Sequence, residues 1–295
     1  MDLKKRMGRP VKRRKRRSKL GEIVHRLSRS APAMAAFGFL LILILAAVFA
    51  EYIAPYDYAK QDLISKFVMP NREHLMGTDN FGRDILSRII FGGRISLLVS
   101  AMAVGISLVF ALIVGAAAGY FGGIYDEIIM RILDVFLAIP GLLLTIVVSV
   151  ALGSGLVNTA IAMAVGSIPG LARQLRASIL LIRDQEYIEA ARSFGSGNAR
   201  IIWKHVLPNS LAPVIVQVSL RLGESITTIA GLSFVGLGVQ PPTPEWGNML
   251  SSGQQFIRSF WPLITFPGIL IGLSMLSFNF VGDALRDAMD PRLKK

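Results

Sequence analysis

Cysteine is absent, and histidine nearly so: the 295-residue chain has only His25, His74 and His205, none near another in sequence. The first absence excludes a disulfide scaffold, a thiol nucleophile and a Cys-ligated metal. The second leaves a histidine metal site with little material. No Gly-Lys pair occurs, so the G-x-x-x-x-G-K-[ST] phosphate cradle is missing, and neither H-E-x-x-H nor G-x-S-x-G is present. No catalytic residue, metal ligand or cofactor site is expected, and any ATP hydrolysis must come from a partner. Acidic side chains are also scarce, 19 Asp+Glu against 32 Lys+Arg, for a formal net charge of +13. That excess is local. Residues 1–30 hold 13 basic groups against Asp2 and Glu22, and the rest of the chain carries 19 basic and 17 acidic groups. A uniformly basic surface for nucleic acid is therefore excluded. A basic run beside an apolar segment reads more simply as a membrane anchor attracted to anionic lipid.

What the chain does have is long apolar runs without charge. Ser30–Ala50, Ile95–Tyr125, Val135–Ala172 and Ser259–Gly282 carry no Asp, Glu, Lys or Arg. A hydrocarbon core of about 30 Å takes about 20 helical residues, so these are membrane spans. The longest run would reach about 57 Å as one helix, and Gly153-Ser154-Gly155 offers a turn at its middle. Two spans follow, near 135–152 and 156–172. A sixth, near 209–238, is apolar apart from Arg221 and Glu224 and ends before Pro241-Pro242. The expectation is an all-α polytopic membrane protein with six transmembrane helices. Residues 31–50 are too long for a signal-peptide apolar core and lead to no cleavage pattern, so a retained anchor is expected.

Lys/Arg asymmetry orients the chain. With the amino terminus inside, segments 1–30, 120–134, 173–207 and 283–295 hold 13, 1, 6 and 4 basic residues, while the outer segments 54–94 and 239–258 hold 6 and 1. Both termini then lie in the cytoplasm. Arg83, Arg88 and Arg94 run against this pattern, balanced in part by Asp79 and Asp84. The outer 54–94 segment, with Asn80–Arg94 amphipathic in places, is placed along the outer surface before the second span. The proline-rich aromatic outer loop Gln240–Trp246 either meets a partner or caps the bundle, and Trp246, Phe256, Phe260 and Trp261 are equally open as interfacial belt residues. Three Gly-x-x-x-Gly pairs, 115/119, 166/170 and 268/272, suit close helix packing.

The inner segment 173–207 is the informative one. Asp184 can cap a helix starting near Gln185, with Glu186 and Glu189 in its early turns where the helix dipole favours acids. Gly195 follows Phe194 where a left-handed C-cap is needed. Gly197-Asn198 starts a second short helix, stopped by Pro208. The product is a helical elbow whose Ala190 and Ala191 offer a narrow, smooth surface to a groove on another protein, with Glu189 as a directed charge. A generic solvated inner loop is the equal alternative on spacing alone.

Glu189-Ala190-Ala191, Gly195 and Leu207-Pro208 resemble the EAA loop of permease subunits in binding-protein-dependent ABC importers: EAA, three residues, Gly, nine residues, Ile, one residue, Leu-Pro. Only the Ile departs, being His205 here, and a His-(Val/Ile)-Leu-Pro-Asn ending is similar to the dipeptide/oligopeptide/nickel branch, C-type subunit. Further blocks at His74–Arg88, Asp126–Pro140, Leu232–Gly247 and Gly282–Arg292 resemble the same branch in the same order. The resemblance implies a type I ABC importer permease fold in the cytoplasmic membrane of a bacterium or archaeon. It implies residues 1–30 as a basic cytoplasmic tail, 31–94 as first span and outer loop, and 95–295 as permease core with its coupling loop at 173–207. It also implies partners: a homologous second permease subunit, two ABC ATPase subunits and an extracytoplasmic substrate-binding protein, in a lipid membrane and without nucleic acid. Glu189, Ala190, Ala191, Gly195, His205, Leu207 and Pro208 would then form the ATPase-coupling interface. The implied cargo is di- or oligopeptides, with nickel or another small solute, or a secondary-transporter half, as alternatives. Arg221 and Glu224, three apart on one helix, either lie on the pathway near a peptide's charged terminus or pair with each other to hold helices in register.

Overall fold

A computed structural model describes residues 30–289; all of the expected basic tail at 1–30 except Ser30, and the last six residues, lie outside it. Within that span the chain is helical, with one isolated bridge between Thr78 and Asp84. Helix α1 (Ala31–Val48) starts at an N-cap, Ser30, whose hydroxyl accepts from Ala33 N, with a proline in the first turn. A single turn, α2 (Ala50–Ile53), follows it. Helix α3 (Ile85–Phe121) is the long spine, and α4 (Gly123–Leu137) and α5 (Gly141–Leu152) form a pair bent by 86°. Helix α6 (Leu156–Arg183) leads to the short α7 (Glu186–Ser193) and α8 (Asn198–Ile201). Helix α9 (Leu207–Phe234), the outer helix α10 (Trp246–Gly253) and α11 (Pro262–Met289) complete the order. Five of these helical stretches are long and apolar enough to cross a bilayer, and six spans result when the bent pair is one of them. The expected count holds.

Four boundaries differ from the sequence reading, each for a local reason. Helix α3 begins at Ile85 rather than near 95, because the cations before the apolar run are neutralised. Arg83 Nε lies 2.7 Å and Arg88 Nε 3.5 Å from Asp79, and Arg94 meets Glu51 at 3.0 Å. From Ile85 on, the 54–94 segment is thus the first turns of the spine, with Ile85, Ser87, Arg88 and Ile89 buried. Helix α6 continues through Arg173 and Arg176 to Arg183, because those two arginines pair with Asp134 and Asp126 of α4. The segment 120–134 is accordingly helix and not an inner loop. The expected span 135–152 is broken at Ala138–Pro140, where proline and the residue before it resist helix continuation, so only the 12 residues of α5 are straight. Finally, α9 ends at Phe234, four residues early, at the positive-φ turn of Gly236.

Helices α3 and α6 form the largest contact, and α9 packs on α11, α6 and α3; α1 lies outside against α11. The glycine pairs divide in role. A Cβ at Gly115 would meet Ala172 O at 2.7 Å and one at Gly119 would meet Ile179 Cγ2 at 2.9 Å, so this pair does let two backbones close. Gly268 and Gly272 have no such neighbour: the nearest atom to either Cβ position is 3.8 Å away.

At the start of α3 the bundle is closed by a cap. Trp246 is fully buried over Gly92 and Gly93, and its indole Nε1 donates to Ile89 O at 3.0 Å. Phe260 is buried too, edge-on to Phe67, whereas Trp261 is half exposed. Trp246 thus caps the bundle, and neither it nor Phe260, both buried, stands as an interfacial belt residue. Glu245, also fully buried, holds the N-terminus of α10 by accepting from Gly247 N and Asn248 N at 2.9 Å each, and takes a third bond from Ser96 Oγ at 2.9 Å. All three partners are donors, so a carboxylate matches the site and an amide does not. Glu245→Gln is expected to lower stability by about 1–3 kcal/mol, the cost of a buried donor facing a donor. Thermal unfolding of the purified protein checks this; an unchanged midpoint would refute the capping role.

Candidate functional site

The elbow hangs at the far end of the spine from the cap. Ile188 is its anchor, wholly buried among Tyr120 of α3, Leu175 and Ile179 of α6, and Ile201, Val206 and Leu207 beyond it. One buried residue in an eight-residue helix leaves Glu189 and Ala190 exposed and Ala191 half-buried. Polar contacts complete the mount. Tyr120 Oη donates to Asn198 Oδ1 at 2.9 Å, Arg183 Nη1 donates to Gly119 O at 3.0 Å near the C-terminus of α3, and the Arg192 guanidinium lies 5.6 Å from the Tyr120 ring centroid.

Gly195 ends α7 with φ of 77°. Gly195 N donates to Arg192 O at 2.9 Å and Ser196 N to Ala191 O at 3.1 Å, the paired bonds of a Schellman motif. The left-handed C-cap expected there is present. The expected start is not: Asp184 closes α6, and the N-cap of α7 is Gln185, in extended conformation and without a side-chain cap bond. Pro208 does not stop the second short helix either. Residues 202–206 widen into a π turn, and the helix runs on through Pro208 into α9. The wider turn accommodates the ring that would clash in a regular helix, and Asn209 Nδ2 donates to His205 O at 2.7 Å. Leu207 is buried, His205 half-buried and Pro208 exposed, so the far end of the motif anchors the elbow rather than presenting it. Around Glu189, Phe194 and Trp203 stand 89% and 74% exposed. No positional signal in the sequence separated these two aromatics from core residues.

A second arrangement lies within the bundle. Arg221, near the middle of α9, opens on a cleft of about 200 Å³ between α3, α5, α6 and α9. Glu224, Thr228, Ser167 and Thr145 line the same cleft. Arg221 and Glu224 form no ion pair with each other, and the buried Nε of Arg221 has no hydrogen-bond partner. The guanidinium instead extends toward α6, where a Cβ on Gly170 would lie 2.7 Å from Nη2. Gly166 makes room for Thr145 Oγ1 and also for the Gly141 carbonyl of α5, which lies 3.1 Å from its Cβ position. At 166 a second backbone therefore approaches along with a side chain, whereas at 170 the near neighbour is a side chain alone. A further cleft, of about 350 Å³, is lined by Gln174 of α6, Gln217 of α9 and Arg286 of α11. Gln217, Arg221, Glu224 and Thr228 follow one another at i, i+4, i+7 and i+11, a single helix face. The glutamine and threonine were missed in the sequence, although that spacing was there to read.

The chain has relatives. The family described as "Binding-protein-dependent transport system inner membrane component" matches residues 107–295, and "N-terminal TM domain of oligopeptide transport permease C" matches 18–70. A dipeptide transport system permease protein of Alkalihalophilus pseudofirmus is 45% identical over 263 residues, covering 88% of this chain and 86% of that one. A di/tripeptide transport system permease protein of Pseudomonas aeruginosa is 41% identical over 283 residues, covering 94% and 93%. A glutathione transport system permease protein of Pectobacterium atrosepticum is 44% identical over 276 residues, covering 92% and 91%. Among solved structures, an inward-facing MetNI methionine ABC transporter aligns with a TM-score of 0.56 at 21% identity, over 69% of this chain and 97% of that chain. The likeness to that structure is one of fold.

Proposed function

The chain belongs to the binding-protein-dependent transport system inner membrane components, and from that premise we propose that it is the C-type permease subunit of an ATP-driven importer of small peptides. The observation that carries the mechanism is the elbow: a short helix pinned by Ile188 and closed by a Schellman turn, with Glu189 and Ala190 left outward. A lever of this kind transmits force only if it is rigid against the spans and free toward its partner. Both conditions follow from which faces are buried. The relatives named for dipeptide, di/tripeptide and glutathione transport support peptides as cargo.

In this reading a homologous second permease subunit completes the pathway, two ATPase subunits seat on the elbows, and an extracytoplasmic binding protein delivers peptide to the capped side. Closure of the ATPases on ATP pushes α7, and the push passes through Ile188 to α3 and α6. Glu189, Ala190, Ala191, Gly195, His205, Leu207 and Pro208 make the coupling interface, with Leu207 as its buried support; Arg221 and Glu224 lie on the pathway. Residues 1–30 are a cytoplasmic tail, 31–94 the first span and outer loop, and 95–295 the permease core, with both termini inside the cytoplasmic membrane. Hydrolysis belongs to the ATPases and not to this chain.

The test is reconstitution of the complete importer, with both permease subunits, both ATPase subunits and the binding protein, in proteoliposomes with a labelled dipeptide. ATP-dependent, vanadate-sensitive accumulation is expected. Accumulation driven by an ion gradient without ATP would overturn the reading. Glu189→Lys is expected to lower uptake several-fold at unchanged membrane insertion. Normal ATPase co-purification together with normal binding-protein-stimulated ATP turnover in this variant would contradict the coupling role.

A further inference from the structure

We infer that Arg221 is a transit subsite for a carboxylate of the cargo, seated by Gly170 and used while the peptide crosses the bundle. The inference rests on the peptide-importer reading above and adds a residue-level recognition step to it. Its first ground is an unpartnered cation. A guanidinium within the bundle, in a cleft lined by Ala103, Val104 and Met163 as well as by hydroxyls and Glu224, is costly unless its donors are met. Yet Arg221 has no ion-pair partner among the described residues, and its Nε is buried without an acceptor. The obvious partner, Glu224, lies in the same cleft and is not bonded to it.

The second ground is the position of the guanidinium. Its Nη2 lies 2.7 Å from where a Cβ on Gly170 would stand, so a side chain there would shift it. The hydroxyl donors of Thr145, Ser225 and Thr228 are already given to the carbonyls of Gly141, Leu222 and Glu224. The cleft thus offers the planar, multi-donor cation as its main unspent donor. That is the chemistry that takes a carboxylate in two parallel bonds. A free peptide always carries one at its C-terminus, whatever its side chains, so a single arginine serves a cargo of varied sequence. Glu224, exposed in the cleft three residues further along α9, keeps the local charge near neutral, and this favours a weak, passing interaction over a trap.

The experiment uses the reconstituted importer and reads peptide moved per ATP hydrolysed under binding-protein stimulation, for the wild type, Arg221→Gln, Arg221→Lys and Gly170→Val. Arg221→Gln is expected to lower that ratio about tenfold, with stimulated ATP turnover within about twofold of wild type. Arg221→Lys should restore part of the ratio, because it keeps the charge, and Gly170→Val should fall between, because it displaces the guanidinium without removing it. A wild-type ratio in Arg221→Gln overturns the inference. So does loss of the second permease subunit from purified Arg221→Gln complex, which would make the arginine an intersubunit tie, and so does equal failure of Gln and Lys. A wild-type complex that hydrolyses ATP but moves no peptide would instead overturn the peptide reading, and the inference with it.

Discussion

Trp246→Ala is expected to lower the stability of the protein by roughly 3–5 kcal/mol, the range for truncating a large buried aromatic. The residue is fully buried and belongs to a cluster with Ile85 and Ile89 of α3, Ile226 of α9, Met249 of α10 and Ile271 of α11. It thus joins four helices at one point. Glycine at 92 and 93 leaves the two Cβ positions 3.0 and 2.9 Å from the indole, so the ring lies directly on the α3 backbone. The spine is too rigid to collapse into the vacated space, and the cavity cost is retained. The bond from Nε1 to Ile89 O adds a second loss that Trp246→Phe isolates; about 1 kcal/mol is expected for that variant. Thermal unfolding of the purified protein measures both. An Ala variant that melts with the Phe variant would show that the ring's volume contributes little. An Ala variant that melts with the wild type would remove the cap from the account altogether.

The way in which the sequence disclosed this architecture has a physical reason. Charge-free runs mark where lipid excludes ions, so they located the middles of the spans. Helix ends follow backbone hydrogen bonding instead, and helices continue past the lipid wherever their charges find partners. Arg88 with Asp79 and Arg176 with Asp126 are such partners, and the second pair, 50 residues apart, is invisible to a window. The bend at Ala138–Pro140 was hidden by the same habit, since proline is uncharged and left the run unbroken. Local backbone chemistry read better: Gly195 was expected in a left-handed cap and has φ of 77°. Pro208 was misread because a π turn, which depends on several residues together, makes it tolerable inside a helix. The Arg221–Glu224 alternative also needed coordinates. Three residues apart allows a pair, but no such pair forms, and the Arg221 guanidinium lies beside Gly170 of another helix instead.

Ile188→Asp is expected to abolish most transport while leaving the spans in place. Its side chain is completely buried in an apolar cluster, where an unpaired carboxylate costs several kcal/mol. Helix α7 has only eight residues and no other buried side chain, so it cannot retain its seat against that penalty. The alternative to burying the charge is to undock, and undocking costs the bundle little because α3, α6 and α9 still pack on one another. An undocked elbow can still touch an ATPase but cannot push the spans. Peptide uptake is therefore expected to fall tenfold or more, the factor that about 1.4 kcal/mol of lost coupling carries, with the amount of protein in the membrane within about twofold of wild type. Ile188→Val, which costs only about 0.5–1.5 kcal/mol, should keep the elbow docked and uptake near normal. Amide exchange on residues 186–193 separates the two ideas: faster exchange in Ile188→Asp alone is the signature of undocking. Lost uptake with unchanged exchange would place the defect elsewhere, and full uptake with fast exchange would mean that force does not travel through this anchor.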